Sequence, residues 1–494
     1  MKGALRKNSL FYITVLLFSS ISFIQVIQYQ KRYYNTIIEN LKNNELNIIK
    51  TESQSNVLHD NENKNKIVEL NKDKPKNECE EDEMDEVKNI IERMLKNSFE
   101  GYIAPDAFIK LRDRVELHTA LWHSVIGKYD IKNKTGNETL NDYKEKLIKN
   151  TSFLSGKNIE HLPRNKKILS YLHQSLYHWM YGFKYKSFND LITSSNGKGI
   201  VICTGDHHFK FARSTIDSLR HILNCTLPIQ IFYNGDSDLS KYNQEILRKY
   251  KDITVDDIST YFDEPTLNIE GWAIKPFAIL ASRFEEVILM DADVVYLYNP
   301  EELFENVNYK KKEQFFFVIE LSTLEKQTRH EMDSSTVVIY KIKTLLGLLA
   351  TCKLNEGDIR TDVVYKMVHG DKETFWMGFD MARQHYYLNS RSCVVVGHVH
   401  PNSNKICGHI GQVVDNKLYY WNGHLVKDKD NKNDKSLVHY TGFHFVSYLT
   451  EWDDAFECLL YTDKKIFNFT KEEQKNFDNI IQREKIQRYI ISEV

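Results

Sequence analysis

The chain has 494 residues, 41% of them hydrophobic, and a formal net charge of −2. That length can carry a large core and two or three domains, while the lack of a basic surplus excludes a protein built to neutralise nucleic-acid phosphates. Only 8 prolines and 20 glycines exclude a fibrous or repeat-linker protein, and the modest apolar content points to a part of the chain that is not packed.

Lys2, Arg6 and Lys7 precede an apolar segment from Leu10 to Ile27, interrupted by Thr14, Ser19, Ser20, Ser22 and Gln25. It is just long enough to span a bilayer, and the positive charge before it favours a cytoplasmic N-terminus. The expectation is a cytoplasmic tail (1–9) and an uncleaved single-pass anchor (10–27). The competing reading is a cleaved signal peptide with Ser20-Ile21-Ser22 as its site. Residues 28–98, rich in Asn, Lys, Glu and Asp, read as a stem with one short amphipathic helix over Val87 to Leu95. Residues 99–196 form a mainly helical lead-in, with a helix over Ile168 to Met180, and its His161, His173 and His178 are packing or surface residues.

From Gly197 strands and helices alternate. Lys198 to Thr204 is a strand ending in Thr204-Gly205-Asp206, and Phe211 to Leu223 follows with apolar residues at helical spacing. Ile229 to Tyr233 is a strand, Leu239 to Tyr250 a helix, Ile253 to Val255 a strand, Trp272 to Arg283 a helix and Glu286 to Met290 a strand. This alternation predicts a parallel α/β sheet over 197–300, with 301–494 completing a catalytic domain that spans 99–494. Neither GxGxxG nor GxxxxGK[ST] is present, so phosphate binding falls to a metal and basic side chains.

The run Glu285 to Pro300 is where chemistry concentrates. Val287 to Met290 is an unbroken apolar strand that delivers Asp291 and Asp293 to its carboxyl end, where α/β sheets bind ligands. Two hard oxygen ligands there suit Mg²⁺ or Mn²⁺ bridging to a diphosphate; the alternative is a pair of turn-capping aspartates. Two other Asp-x-Asp triplets, Asp236-Ser237-Asp238 and Asp428-Lys429-Asp430, lie in polar turn-like sequence.

The seven cysteines, Cys79, Cys203, Cys225, Cys352, Cys393, Cys407 and Cys458, form no CxxC pair, so structural zinc is not expected. Their scatter is that of a few disulfides in an oxidising compartment, with an odd thiol left over. Five N-x-S/T sequons at Asn133, Asn137, Asn150, Asn224 and Asn468 agree mildly with a luminal address.

Residues 271–305, GWAIKPFAILASRFEEVILMDADVVYLYNPEELFE, resemble the fungal Golgi α-mannosyltransferase family that includes the yeast α-1,3-mannosyltransferases. GIVICTGDHHFKFA, TLPIQIFYNGDSDL, HEMDSSTVVI, GDKETFWMGFDMA and ICGHIGQVVDNKLYYWNGHLVKDK extend the resemblance in order to about residue 430. It implies a type II Golgi membrane protein with a GT-A fold, a GDP-mannose donor, Mn²⁺, a mannosylated glycoprotein glycan as acceptor, and retention of the α configuration. Asp291 and Asp293 would hold the metal. Thr204, Gly205 and Asp206 would line the guanosine pocket, or Asp206 would simply cap a helix. Lys275 would pair with a donor phosphate or lie solvated. Asp333-Ser334-Ser335, placed just before a strand over Thr336 to Tyr340, would hold sugar hydroxyls. Asp371 and Glu373 would meet the acceptor hydroxyl, although acids at a helix start are favoured by the dipole in any case. Trp376 and Trp421 would stack on sugars or belong to the core. His439 is expected as a third metal ligand, with His398, His400, His409, His424 and His444 as rivals. His424 departs from the family, which carries a second glycine after Asn422-Gly423. The expected activity is α-1,3-mannosyl transfer; the alternatives are an α-1,2 enzyme and a membrane-tethered glycan-binding relative without catalysis.

Overall fold

The computed structural model describes residues 108–127, 140–156, 161–319, 331–399, 404–426, 436–447, 450–453, 458–462 and 465–492. All lie within the unit Glu78–Val494. The anchor and stem read from the sequence, and the sequons at Asn133 and Asn137, fall outside the described residues. Among those residues no helix is long and apolar enough to cross a membrane.

The central sheet is built from β1 (Lys198–Cys203), β2 (Ile229–Tyr233), β3 (Ile253–Asp257), β4 (Glu286–Met290), β6 (Gln314–Val318) and β7 (Met332–Tyr340), with the short β5 (Val294–Tyr296) leaving it after β4. The order is β3-β2-β1-β4-β7-β6. β3, β2, β1 and β4 run parallel, as the alternation of strands and helices predicts; β7 and β6 are antiparallel. The α/β sheet is parallel over 197–300, as expected there, and the later β7 joins it antiparallel to β4. That reversal has a consequence for the site. Reversing β7 puts its first residues, Asp333 to Ser335, at the edge where β1 and β4 end, and the Asp291 N–H donates to the Ser335 carbonyl at 2.8 Å. Those residues therefore belong to β7 itself and do not precede the strand.

Alternate residues of β1, β2 and β4 feed two cores, which is why these strands read as continuous apolar runs. Val201, Phe232, Val287 and Leu289 pack with the lead-in helices α1 (Phe108–Val125), α2 (Leu140–Thr151), α3 (Arg164–Tyr177) and α4 (Phe188–Thr193). The same core takes in α7 (Ile274–Ala281), α8 (Leu345–Leu354) and α9 (Lys372–Met381). Ile200, Ile202, Ile231, Ile288 and Met290 face the other core. The two helices between β1 and β3 are α5 (Phe209–His221) and α6 (Lys241–Arg248).

The second core joins the central sheet to a second, largely antiparallel one. It contains β8 (Val394–Gly397), β9 (Lys405–Val414), β10 (Lys417–Asn422), β11 (Gly442–Phe445), β12 (Thr450–Trp452), β13 (Cys458–Tyr461) and β14 (Phe467–Asn468), followed by α10 (Lys471–Ser492). Asp415 and Asn416, with φ of 49° and 66°, make the tight β9–β10 turn in the left-handed region that suits Asp and Asn. β10 pairs with β5, so the second sheet grips the chain just after Asp293. Among the described cysteines, Cys407 and Cys458 are disulfide-bonded and Cys203, Cys225 and Cys352 are free thiols.

Candidate active site

The Asp291-Ala292-Asp293 turn is fixed by its backbone. The Thr215 hydroxyl on α5 donates to the Ala292 and Val294 carbonyls at 2.8 and 2.9 Å. From the opposite side the N–H groups of Gly423 and His424 donate to the Asp293 carbonyl at 3.1 and 2.6 Å. The turn's main-chain groups are thus satisfied by neighbours rather than by its own carboxylates, which weighs against the turn-capping alternative.

Around it stands a charge network from four elements. Lys275 on α7 is 5% exposed. Its ammonium lies 2.7 Å from Asp291 Oδ1 and 3.6 Å from Asp371 Oδ1, and it also donates to Ser334 Oγ at 3.2 Å. Lys275 is therefore paired and buried, and the solvated alternative is overturned. Burial raises the Asp291 carboxyl above the ordinary range, with Asp293 and Asp371 adding to the push and Lys275 opposing it. Burial also raises Asp371, again against Lys275. Desolvation works against the Lys275 ammonium, but the two carboxylates outweigh it and hold its pKa above the usual value.

The remaining acids differ in what their oxygens do. Asp371 is 3% exposed and its Oδ2 has no hydrogen-bond partner. Glu373 accepts from the Glu331 N–H at 3.0 Å through Oε1 and from Trp376 Nε1 at 2.6 Å through Oε2, so both oxygens are engaged. Asp333 likewise accepts from the Ser335 N–H at 2.8 Å and from Gln412 Nε2 at 2.9 Å. Lys372, half-buried beside Glu373, Asp333 and Asp371, is a second cation that the sequence reading did not single out; burial lowers its pKa against those three carboxylates.

Thr204 immediately follows β1, and its N–H donates to the Phe232 carbonyl at 3.0 Å. Gly205 is required by close approach, since a Cβ there would meet Asp238 Oδ1 at 2.1 Å. Asp206 is exposed and its Oδ1 accepts from the Ser240 N–H at 3.0 Å and Asn243 Nδ2 at 2.8 Å. It braces the start of α6, the helix after the next strand, rather than the helix that follows it. Trp421 is fully buried and belongs to the core, while Trp376 is half-buried against Glu373.

His439 is exposed and its ring lies 5.5 Å from that of His398. Among the described residues no group of three or more His, Cys, Asp or Glu gathers as a metal cage, so His439 is not brought together with Asp291 and Asp293. His424 has φ of 68°, in the region where glycine is favoured, and its ring lies tilted at 51° to that of Phe211 with centroids 4.6 Å apart. Burial lowers its pKa to about 4. The donor set fits Mg²⁺ or Mn²⁺ in the manner of sites that take one or two carboxylates from the protein and the rest from a diphosphate and water.

The family model described as "Mannosyltransferase putative" matches residues 197–322 and 318–414, which contain this whole network. The "Putative alpha-1,3-mannosyltransferase MNN15" of Candida albicans is 27% identical over 46% of this chain and 41% of its own length. The α-1,3-mannosyltransferase MNT3 of Saccharomyces cerevisiae is 24% identical over 48% of this chain and 45% of its own. The α-1,2-mannosyltransferase MNN24 of Candida albicans is 28% identical over 36% and 25%. The matches thus span less than half the length of these relatives. Among solved structures, the glycosyltransferase GlyE of Streptococcus pneumoniae aligns over 40% of this chain and 45% of its own at 13% identity, with a TM-score of 0.29. The chain is thus similar over residues 197–414 to a mannosyltransferase family model, and over less than half of its length to each of these fungal α-mannosyltransferases.

Proposed function

We propose that the chain is a metal-dependent, retaining mannosyltransferase that moves α-mannose from GDP-mannose to a mannose hydroxyl of a glycoprotein glycan, with α-1,3 as the linkage and α-1,2 as the alternative. In this reading residues 10–27 anchor it in the Golgi membrane with residues 99–494 in the lumen. The observation that carries the reading is the buried network of Asp291, Lys275 and Asp371 at the carboxyl edge of the sheet, inside the segment similar to a mannosyltransferase family model.

Asp291 and Asp293 would hold Mn²⁺, with the remaining ligands supplied by the diphosphate and water. The bound metal would offset charge on the departing diphosphate. Lys275 keeps Asp291 ionised and oriented, and Ser334 fixes the ammonium from a second side. Thr204 and Gly205 line the sheet edge on the nucleotide side. Asp371 Oδ2, buried and unpartnered, is the oxygen available to a hydroxyl of the acceptor, and burial suits it to taking up that proton. Glu373 and Asp333 act as positioning residues, because their oxygens already hold the entry to β7 and the second sheet.

The test is to incubate the purified full chain with GDP-mannose and an α-mannobiose acceptor, with Mn²⁺ or EDTA, beside Asp291→Asn. Expected is mannose transfer that EDTA abolishes and the variant reduces by about 10²-fold or more while its melting temperature stays close to that of the parent. Transfer that survives EDTA and the substitution, or a folded chain that transfers nothing, would overturn the reading.

A further inference from the structure

The chain has six tryptophans, and five of them are buried or half-buried: Trp122, Trp179, Trp376, Trp421 and Trp452. Trp272 alone of the six is 53% exposed. Tryptophan is highly buried on average, so its setting here calls for a physical account. It lies in the 3₁₀ turn Gly271–Ala273 that leads directly into α7, three residues before Lys275. Its six-membered ring rests against Gly370, where an added Cβ would meet the ring's Cε3 at 2.9 Å and where φ is 73°. The ring centroid is 5.3 Å from that of exposed His369. Gly370 immediately precedes Asp371, whose carboxylate is 3.6 Å from the Lys275 ammonium. The indole is therefore held by the two segments that carry the charge network, with more than half of its surface open to solvent.

We propose that Trp272, backed by Gly370 and flanked by His369, is a stacking platform for a hexopyranose unit of the acceptor, a specificity-determining residue beside Asp371. This rests on the glycosyltransferase reading above and assigns the acceptor side of the same site. A pyranose offers an apolar C–H face to an indole and hydroxyls at its rim, and a flat aromatic held next to a carboxylate meets both needs. The nucleotide is placed elsewhere in that reading, at the end of β1. The left-handed glycine and the lack of room for any Cβ explain why the segment before Asp371 accepts the ring so closely.

The test uses the full chain, Trp272→Ala and Trp272→Phe, with two readouts. Calorimetric titration with α-mannobiose alone measures saccharide binding without donor or metal, and steady-state kinetics with GDP-mannose measure KM for acceptor and donor. Expected is a rise of roughly tenfold or more in both the saccharide Kd and the acceptor KM for Trp272→Ala, a far smaller change in donor KM, and recovery of most of the loss by Trp272→Phe. Saccharide binding that depends on Trp272 in a wild-type chain that transfers no mannose would sink the mannosyltransferase reading and leave the platform standing. Unaltered saccharide binding in Trp272→Ala, a wild-type chain that binds no saccharide, or a loss confined to GDP binding would overturn the platform.

Discussion

Asp371 and Glu373 stand at the start of α9 two residues apart, yet their carboxylates are in opposite situations. Each is 3% exposed. Glu373 spends both oxygens on the Glu331 N–H and Trp376 Nε1, whereas Asp371 keeps Oδ2 unpartnered in a buried network. A buried acceptor without a partner costs about 1–3 kcal/mol, and such a group is retained where a substrate completes it. Asp371→Asn should therefore lower kcat by about 10²–10⁴ with the fold intact. Glu373→Gln should do the reverse: a loss of about 1.5–3 kcal/mol in stability and a kcat within about tenfold of wild type. Denaturant midpoints and initial rates on the two variants check both halves, and equal effects on kcat would remove the distinction. The sequence offered Asp371 and Glu373 as equals because helix-start acids look alike locally. Only the approach of Lys275 from α7 and of residue 331 from the start of β7 separates them. Asp291 was legible, since an apolar run delivers it; Trp272 was not, since nothing in GWAIK states which aromatic stays in water.

At the scale of elements, β6 went unread although it is fully buried, while β1, β2 and β4 were legible because each is an apolar run buried on both faces and bounded by polar turns. The second sheet was not, because its strands are short and mix exposed and buried positions, although Asp415-Asn416 between two apolar runs is a hairpin signal in plain view. The lead-in helices hold a further device. Between α1 and α3, His118 Nε2 and His173 Nδ1 share a hydrogen bond of 3.1 Å, and His173 Nε2 meets the Tyr181 hydroxyl at 2.7 Å. Burial keeps both imidazoles neutral, pushing His118 down from 6.5 to about 3 and His173 well below its ordinary value. The folded-state values lie below the unfolded ones, so the unfolded chain takes up protons that the folded chain refuses. Stability from the pair is complete above about pH 6.5 and is lost as pH falls below it, for His118 over the range down to about 3 at about 1.4 kcal/mol per pH unit, with His173 adding in the same direction. Urea midpoints from pH 7.5 down to 5 should fall in the wild-type chain and fall less steeply in His118→Gln. Parallel slopes would show that the pair does not set the acid limit.

Across the unit Glu78–Val494, the active edge is assembled by pieces distant in sequence. β4 presents Asp291, α7 presents Lys275, the start of α9 presents Asp371, and the second sheet holds the Asp-x-Asp turn through Gly423 and His424. β9 is the hub of that second sheet, pairing with β8, β10 and β13, while β10 reaches back to β5 beside Asp293. The Cys407–Cys458 disulfide ties β9 to β13 across a sequence separation of 51. Closing a loop of that size restricts the unfolded chain by up to about 4 kcal/mol. The bridge sits at the Lys405–Cys407 end of β9, away from the Ile410–Val414 stretch that pairs with β10, so its loss should loosen the unit without touching the acids. The double variant Cys407→Ser, Cys458→Ser should melt several degrees lower than the oxidised parent, and dithiothreitol should lower the parent toward the variant while leaving the variant unchanged. Mannose transfer below both melting temperatures should differ little between the two chains, because the Asp-x-Asp turn is held by β10 and α5 through hydrogen bonds that do not involve either cysteine. A large fall in transfer at a temperature where the variant is folded would mean that β9 transmits the strap's constraint to Asp293, and the bridge would then have to be counted among the groups that shape the site.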